Sequence, residues 1–448
     1  MLFRSIRQQD KPNHHNVGPT EQWIVDLDYE NFGRDVTALG KELQSLGGMD
    51  DIRHINKIVL WRNICAVIGI STVWMIPNPI TIVALSTWTY ASWTMIAHHT
   101  CHGGYNRFTT AATSEGSSNT YNSRGYAIGS VLQRCCDWLD WMLPEAWNVE
   151  HNRLHHYRLN EMYDPDLVQR NLHSVRNSKI PIAFKYIAIA FIFPIWKWFY
   201  YAPNTFKELQ INKWKQEGKE LPENFDSHES ATVFTLFSWG AKYSALREVV
   251  RPYEFLKQVL GPFIMTRFVL LPLPLLFIPN IGLTLWNHAM WNVVLAEILT
   301  NIHAYITIVT NHAGEDLYTF DDAVKPRSPS FYVRQIVGSA NYITNFDDIT
   351  DFCHGFLNYQ IEHRTFCFCY HTIEFLVQQS ISQPLHIFLV YSRCLARPVN
   401  ATISDWCTTT GGFMSELWCP VCTRIGMDTV TENHGYNGRK IVHADIPH

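Results

Sequence analysis

Three groups of histidines recur along the 448 residues of this chain, in the segments 98–102, 151–156 and 360–363. Each group stands just outside a long apolar stretch. Imidazole is the commonest side-chain ligand of transition metals in proteins. A single histidine near a membrane is often structural, but repeated pairs at metal-ligand spacing are difficult to explain as packing. The pattern therefore predicts a metal centre that performs redox chemistry on a lipid.

The spacing within the groups predicts which rings share a face. His98 and His102 are four residues apart, so a continuing helix would aim both at one ion. His151 and His155 repeat this arrangement, and His156 lies on an adjacent face from which it reaches a second ion. Because more than four histidines exceed the ligands that one tetrahedral ion takes, the sequence predicts two ions.

The ligand type restricts the metal. Ligation by histidine without a cysteine partner argues against a structural zinc site and suits zinc, copper or iron. Of the 11 Cys, only Cys65, Cys101, Cys135, Cys136 and Cys353 precede residue 364. This is not a disulfide framework, so we expect the catalytic part to face a reducing compartment.

Composition excludes one large class of partner. The formal net charge is −4 and the basic residues are dispersed, which argues against nucleic-acid binding. Aromatic residues make up 14% of the chain, including 16 Trp. Tryptophan and tyrosine favour the interface between a membrane and water, so the composition indicates a membrane protein.

The apolar segments predict how the chain meets the membrane. Four of them approach the ~20 residues that cross ~30 Å of hydrocarbon as helices: 58–76, 80–97, 263–278 and 283–309. Short connectors join them into two transmembrane hairpins. The segment 180–202 is also apolar, but it is interrupted by Lys185, Pro194 and Lys197, so we expect it to lie in the interface plane.

Charge predicts the orientation. Eight Lys and Arg lie between residues 98 and 180, which places this segment on the cytoplasmic side. An even number of crossings separates the three histidine groups, so all three share that side. The predicted fold is an all-α membrane protein with two transmembrane helical hairpins and a cytoplasmic helical cap that holds the metal site. An N-terminal cytoplasmic segment, 1–56, precedes this domain, which covers 57–363.

Taken in order, these features resemble the membrane-bound fatty acid desaturases, whose three boxes read His-x₃₋₄-His, His-x₂₋₃-His-His and His/Gln-x-x-His-His. The resemblance covers residues 58 to 363. It implies an O₂-dependent enzyme with two iron ions that removes two hydrogens from the acyl chain of an acyl-lipid or acyl-CoA. Electrons would come from cytochrome b5 or ferredoxin. The donor should be a separate protein, because the chain lacks the His-Pro-Gly-Gly haem signature.

The resemblance also implies the iron ligands, which are His98, His102, His151, His155, His156, His312 and His363. His312 is preferred to His303 because it lies at the exit of the last span, level with the boxes. Gln360 stands where some members carry Gln in place of His. Asn311 either holds a water on the metal or ends its helix.

Further polar residues beside the boxes are predicted to support the ligands, because a metal-bound histidine usually donates its other N–H to a carboxylate or carbonyl. Alternatively, each acid is an ordinary solvated loop residue. His99 is expected to be a supporting or structural residue. The acidic candidates are Glu150, Asp164, Asp166, Glu315, Asp316 and Glu362.

The chain departs from the family pattern at Arg364, where a second histidine is expected. Arginine is permanently cationic, has no lone pair to offer and would repel two irons. The tail from 364 to 448 contains six Cys and a single Lys, Lys440. Our hypothesis is that a frameshift or altered splice junction replaced the natural tail.

The predicted reaction is therefore desaturation of a fatty acyl chain. Two alternatives are hydroxylation on the same scaffold and a catalytically inactive desaturase-like protein, which Arg364 favours. We expect a multi-pass protein of the endoplasmic reticulum with its boxes facing the cytosol, or of a plastid membrane.

Overall fold

The computed structural model describes residues 27–46, 48–106, 121–139, 141–312, 317–341 and 348–366. These residues are mostly helical and form no β-strand. Isolated bridges pair Glu161 with Phe320 and Asn341 with Tyr359. The prediction of an all-helical fold is thus confirmed for the part of the chain that is described.

Nine helices of the described chain are labelled α1 to α9, and further short helical segments lie between them. The nine are α1 (Tyr29–Leu46), α2 (Met49–Thr72), α3 (Pro79–Tyr90), α4 (Ile182–Ile195), α5 (Lys197–Gln216), α6 (Pro252–Leu276), α7 (Gly282–His312), α8 (Pro329–Val337) and α9 (Gln360–Thr365). The short helical segments are Ala91–Ala97, His98–Cys101, Val131–Asp137, Pro144–Trp147, Asn148–Leu154, His155–Tyr157, Val168–Asn171, His173–Asn177, Val233–Phe237, Ala241–Tyr243, Ser244–Val249 and Asp348–Cys353.

Helices α6 and α7 are long and apolar enough to cross a membrane, which fits a membrane protein. The bounds of α7 agree closely with the predicted segment 283–309, but α6 begins well before the predicted residue 263. Pro252 occupies the first turn of α6, where its missing N–H costs nothing. The polar residues Glu254, in the same turn, and Lys257, in the next, concealed this start from a search for apolar runs.

Helix α2 contains residues 58–72 of the predicted segment 58–76, and α3 together with the π-helix Ala91–Ala97 contains the predicted segment 80–97. Helices α2 and α3 pack against each other, and α3 packs against α7. Asn78 begins α3, since its side chain accepts a hydrogen bond from the N–H of Thr81 at 3.0 Å. By length and composition this pair is not among the candidate spans, and α2 carries Lys57 and Arg62. That the pair forms a transmembrane hairpin stays a prediction.

Buried polar contacts fix α7 against the first helix pair. The side-chain amide of Asn292 donates to the carbonyls of Val73 and Met75 at 2.9 Å each, and its oxygen accepts from the N–H of Asn78 at 3.2 Å. These bonds satisfy backbone groups of the turn between α2 and α3 that have no helical partner. The turn is therefore anchored to the middle of α7.

Helices α4 and α5 are bent by 80° at the break between them. Together they could form a broken span or a re-entrant loop, so the placement of 180–202 in the interface plane stays a prediction. No residue of Ile182–Ile192 is buried, and Phe191 is 73% exposed. Helix α5 is π-helical over Lys197–Tyr201 and α-helical over Ala202–Gln216, where Pro203 occupies the first α-helical turn. It continues beyond the predicted end at residue 202 because residues 204–216 contain no Pro or Gly.

Helix α1 packs against α8 through one apolar face. Its buried residues are Tyr29, Phe32, Val36, Leu39 and Leu43, which recur at the three- and four-residue spacing of a helix face. This contact joins the N-terminal segment to the part of the chain that precedes the third histidine group. Residues 1–26 of the predicted N-terminal segment lie outside the described residues.

Aromatic side chains pack together next to the histidines. Trp93, Trp138, Trp147, Tyr201 and Phe206 are buried in one hydrophobic cluster. Ring stacking and edge contacts in such a cluster hold neighbouring side chains in fixed orientations. Trp147 of this cluster contacts the rings of His98, His102 and His151, so the aromatic cluster supports the first two histidine groups.

Candidate metal centre

The first histidine group extends α3. The chain winds as a π-helix over Ala91–Ala97 and returns to an α-turn at His98–Cys101. The N–H of His102 bonds to the carbonyl of His98 at 3.1 Å, so the two rings lie on one face with their centroids 4.7 Å apart. Gly103 then reverses the chain with φ of +87°, a conformation that disfavours other residues.

The second group lies on a π-helical turn, Asn148–Leu154, followed by His155–Tyr157. Hydrogen bonds in a π-helix connect residues five apart, and such turns are frequent at functional sites. The Nε2 atoms of His151 and His156, which are five apart, lie 3.2 Å from each other. The spacing of four had predicted that His155 would share the first ion with His151, with His156 on an adjacent face. In the structure the rings of both His155 and His156 lie close to that of His151, but only His156 places a nitrogen within 3.2 Å of a nitrogen of His151.

The third group is carried by α9. His363 places its Nε2 3.3 Å from the Nε2 of His98, and its ring centroid lies 4.9 Å from those of His102 and His156. The N–H of His363 bonds to the carbonyl of Tyr359 at 3.1 Å, which begins the helix. Residues separated by more than 260 positions therefore meet at one point.

Four rings form a cluster of metal-binding size. One nitrogen from each of His98, His102, His151 and His363 lies within 4.8 Å of all the others. Two nitrogens at 2.0–2.1 Å from a tetrahedral ion stand roughly 3.3 Å apart. The separation of His98 from His363 already has this value, so the donor set fits one metal ion. We call these four residues the four-imidazole cluster.

The environment of the site favours the neutral form of its histidine rings, in which one ring nitrogen keeps a free lone pair. Burial, reinforced by the charge of Arg364, lowers the pKa of His151, His156 and His363 well below the usual value for histidine. At neutral pH these rings are therefore uncharged. A neutral imidazole is the form that binds a metal.

His155 faces a different set of partners. Its Nδ1 lies 2.7 Å from Oδ1 of Asp164, a carboxylate with no exposed surface. Asp164 is further fixed by the N–H groups of Asn160 and Asp166, at 2.8 and 2.9 Å. Because Nδ1 donates to the carboxylate, Nε2 of His155 carries the lone pair. This contact is the one predicted for a carboxylate supporting a metal-binding histidine.

A second group of potential metal ligands, whose ligand atoms lie within 4.8 Å of one another, consists of His151, His155 and Asp166. The sequence had suggested Asp166 only as a supporting acid. Burial and the charge of Asp166 raise the pKa of the neighbouring Glu150, and burial raises that of Asp166. Glu150, one of the acids that the sequence suggests as supporting residues, is completely buried, and its two carboxyl oxygens have no hydrogen-bond partner among the described residues.

Arg364 occupies the side of the site that His155 faces. Its Nη2 donates to Nε2 of His155 and, at 3.1 Å, to Nε2 of His312. The Gln360 amide oxygen, when it faces the guanidinium, accepts from both Nη2 and Nε at 2.8 Å. Arg364 is 3% exposed. The residue expected to be a histidine thus binds two predicted ligands and the predicted glutamine.

The remaining candidates divide between the site and its surroundings. His303 stacks on Tyr90 at a centroid distance of 3.9 Å, whereas the ring of His312 lies 5.0 Å from that of His155. The preference for His312 as a ligand stays a prediction. The amide nitrogen of Asn311 donates to the carbonyls of Thr307 and Leu357 at 3.0 and 2.7 Å, while its buried amide oxygen has no hydrogen-bond partner among the described residues. Both interpretations of Asn311 stay predictions.

Two further sequence predictions concern residues beside the cluster. The buried ring of His99 contacts His98 edge-on at 5.7 Å and belongs to neither group of potential metal ligands among the described residues. Glu315, Asp316 and residues 367–448 lie outside the described residues, as does the side chain of Glu362.

Sequence reasoning missed Trp147. Its indole stacks on His151 at 4.4 Å with an angle of 23° between the rings, and it contacts His98 and His102 edge-on at 5.2 and 5.8 Å. Its position four residues before His151 was the available signal, because such residues are neighbours on a helix. Trp147 holds the first two histidine groups in register.

Comparison with known proteins gives one finding. Residues 73–363 match the family described as Fatty acid desaturase. The match includes all three histidine groups and ends one residue before Arg364. No curated protein and no solved structure gives a significant match to the chain.

Proposed function

Because the chain belongs to the fatty acid desaturase family, we propose that it introduces a carbon–carbon double bond into the acyl chain of a lipid or acyl-CoA with O₂ as oxidant. The observation that supports this most directly is the four-imidazole cluster, His98, His102, His151 and His363, which three separate segments assemble beside two apolar helices. Neutral nitrogen ligands suit iron.

The proposed desaturation consumes one molecule of O₂ for each double bond. The acyl chain loses two hydrogens, an electron donor supplies two electrons, and the solvent supplies two protons, so that O₂ is reduced to two waters. Iron bound to the imidazoles would supply the oxidising chemistry. The protein itself keeps its ligands uncharged by burial, as the lowered pKa of His151, His156 and His363 indicates, and fixes their orientation through Trp147.

The electron donor is proposed to be a separate acidic protein such as cytochrome b5 or ferredoxin. Three arginines near the second histidine group are candidates for its docking site. Arg153 is exposed and Arg158 is 40% exposed, while the guanidinium of Arg170 binds the carbonyls of Met162 and Pro165. Arg153 and Arg158 are therefore better placed to meet a partner.

The cellular setting is proposed from charge and family. The basic residues between the two hairpins favour the cytosolic side of the endoplasmic reticulum membrane, with a plastid membrane as the alternative.

The predicted pair of iron ions follows from the family. The second of these ions would need His155, His156 and His312 as ligands.

A second candidate function is that of a metal-binding but catalytically inactive relative. The specific observation in its favour is Arg364, whose guanidinium binds both His155 and His312. In that case the chain as written forms no product, while Arg364→His restores a ligand.

The test is fatty-acid profiling by mass spectrometry in a yeast strain that lacks its own desaturase. The full chain, Arg364→His and His98→Ala are expressed in parallel, with His173→Ala as control because His173 is exposed and belongs to neither group of potential metal ligands. Product from the chain as written supports the desaturase, and product from Arg364→His alone supports the inactive relative. Fatty acids that gain an oxygen atom instead of losing two hydrogens would indicate hydroxylation. Absence of product from both the chain and Arg364→His contradicts the proposal.

A further inference from the structure

The guanidinium of Arg364 stands among histidine rings, at the junction of three chain segments. Its Nη2 donates to Nε2 of His155 and to Nε2 of His312, and Gln360 accepts from Nη2 and Nε. The side chain is almost completely buried. Arg364 is therefore an integral part of the site.

These hydrogen bonds use the atoms that a metal would need. A neutral imidazole has a single lone pair, on the nitrogen that carries no proton. In His155 the other nitrogen donates to Asp164, so the lone pair is on Nε2, and Arg364 binds it there. His312 offers its Nε2 to the same guanidinium nitrogen. Both rings are consequently removed from the set of available ligands.

Charge acts in the same direction. A guanidinium does not lose its proton in proteins, so it remains positive at every physiological pH. A second cation beside it would be repelled in a site where water screens little. The carboxylates of Asp164 and Asp166 lie close to His155, and Arg364 interacts electrostatically with Asp166. Arg364 therefore already compensates part of the negative charge that would attract a second cation to this side.

The four-imidazole cluster is arranged differently. One nitrogen from each of His98, His102, His151 and His363 lies within 4.8 Å of the other three, so the four can face a single ion. His156 adds a fifth ring next to His151. Four nitrogen ligands complete the coordination of one tetrahedral ion.

We propose that the chain binds one divalent transition-metal ion, in the four-imidazole cluster, and that the guanidinium of Arg364 takes the place of a second ion between His155 and His312. This rests on the proposed function only in assuming that the cluster binds a metal. It departs from the pair of iron ions that the family resemblance implies.

The test counts metal ions. The full chain is purified in detergent, loaded with Co²⁺ or Zn²⁺, separated from weakly bound ions and measured by inductively coupled plasma mass spectrometry. We expect about one ion per chain, and about two for Arg364→His, which replaces the cation by an imidazole. Arg158→His is the matched control, because it adds a histidine at a partly exposed arginine outside the cluster and should leave the count unchanged.

Single-ring variants test the inference without altering Arg364. His155→Ala and His312→Ala should retain the ion, because these rings bind the guanidinium. His98→Ala and His363→Ala should weaken binding at least about tenfold, since each removes a ligand. These variants keep the inference open to refutation even if Arg364→His does not fold.

The outcomes separate the inference from the proposed function. Two ions in the unaltered chain, one ion in Arg364→His, or loss of the ion in either His155→Ala or His312→Ala overturns the inference alone. A chain that binds one ion but gives no unsaturated product, even as Arg364→His, overturns the proposed function alone. A chain that binds no ion overturns both.

Discussion

Asp164 accepts a hydrogen bond from Nδ1 of His155 at 2.7 Å, and neither side chain exposes more than 1% of its surface. The carboxylate also accepts from two backbone N–H groups, those of Asn160 and Asp166. One buried acid thus determines both the tautomer of a histidine and the course of the loop that follows the second histidine group.

Replacing Asp164 by alanine should destabilise the protein without changing its metal content. The substitution leaves buried donors without a partner, and each such group costs about 1–3 kcal/mol. Because His155 binds Arg364, the number of ions per chain should stay the same. Thermal unfolding in detergent and metal analysis measure the two effects.

Asp226→Ala is the matched control for this substitution. Asp226 accepts from the N–H of His228 at 2.8 Å in an exposed turn, so its loss should have little effect. Equal destabilisation by the two substitutions would show that the burial of Asp164 has no energetic importance.

The histidine groups illustrate what the sequence can and cannot predict. Residue type and spacing drew attention to His98, His102 and His151, which lie together in the structure. The pairing of His151 with His156 was not predictable, because it depends on a π-helical turn that the spacing does not encode. A spacing of four identifies neighbours only if the helix is an α-helix.

Long-range partners were equally inaccessible. The sequence identified Arg364 as incompatible with a metal ligand, but its hydrogen bonds to His155 and His312 depend on how three distant segments fold together. The start of α6 at Pro252 was missed for a simpler reason. Polar residues can occupy the first turns of a membrane helix, near the interface, without ending it.

The reading frame of the tail provides a prediction at the level of the gene. The family match ends at His363, and the next residue is an arginine in place of a histidine. If a frameshift or altered splice junction caused this change, translation of the coding DNA in another frame after the codon for His363 should give histidine followed by a tail with fewer cysteines. Sequencing the gene and its transcript provides the measurement. The hypothesis is wrong if no frame restores that histidine.

A buried ion pair between the two candidate membrane helices gives a prediction about stability. Arg267 contacts Oε1 of Glu297 through Nε and Nη2 at 3.2 and 3.1 Å, and it also donates to Thr89. Both charged side chains are at most 3% exposed. Glu297→Ala should destabilise the protein by about 3–5 kcal/mol, because it leaves a buried charge without its partner.

The double variant Arg267→Met, Glu297→Met, measured beside its two single substitutions Arg267→Met and Glu297→Met, tests the cause of that loss. It removes both charges, so it should recover most of the stability that either single substitution loses. Thr89 keeps its bond to the carbonyl of Leu85 in every variant. Unfolding in detergent gives the three free energies. Additive losses in the double variant would refute the explanation by an unpaired charge.

Glu161 makes the stability of the region beside the metal centre depend on pH. Burial raises the pKa of this carboxyl from 4.5 to about 7, and this outweighs the N–H of Val324 and the positive charges of Arg334 and Arg158. The unfolded chain loses the proton near the ordinary value, whereas the folded chain keeps it until about pH 7. The folded state therefore binds more protons between these values, and its stability falls as the pH rises through them.

Glu161→Gln should remove this dependence, because the amide does not titrate. Relative to the unaltered chain, the free energy of unfolding of Glu161→Gln should rise from about pH 5 to about pH 7. Above that pH the difference between the two proteins should stay constant. Urea unfolding across this range measures it, with Glu223→Gln as control because Glu223 is exposed. Parallel profiles for Glu161→Gln and the unaltered chain would mean that the carboxyl is already ionised in the folded state, with Arg334 and Arg158 compensating for its burial.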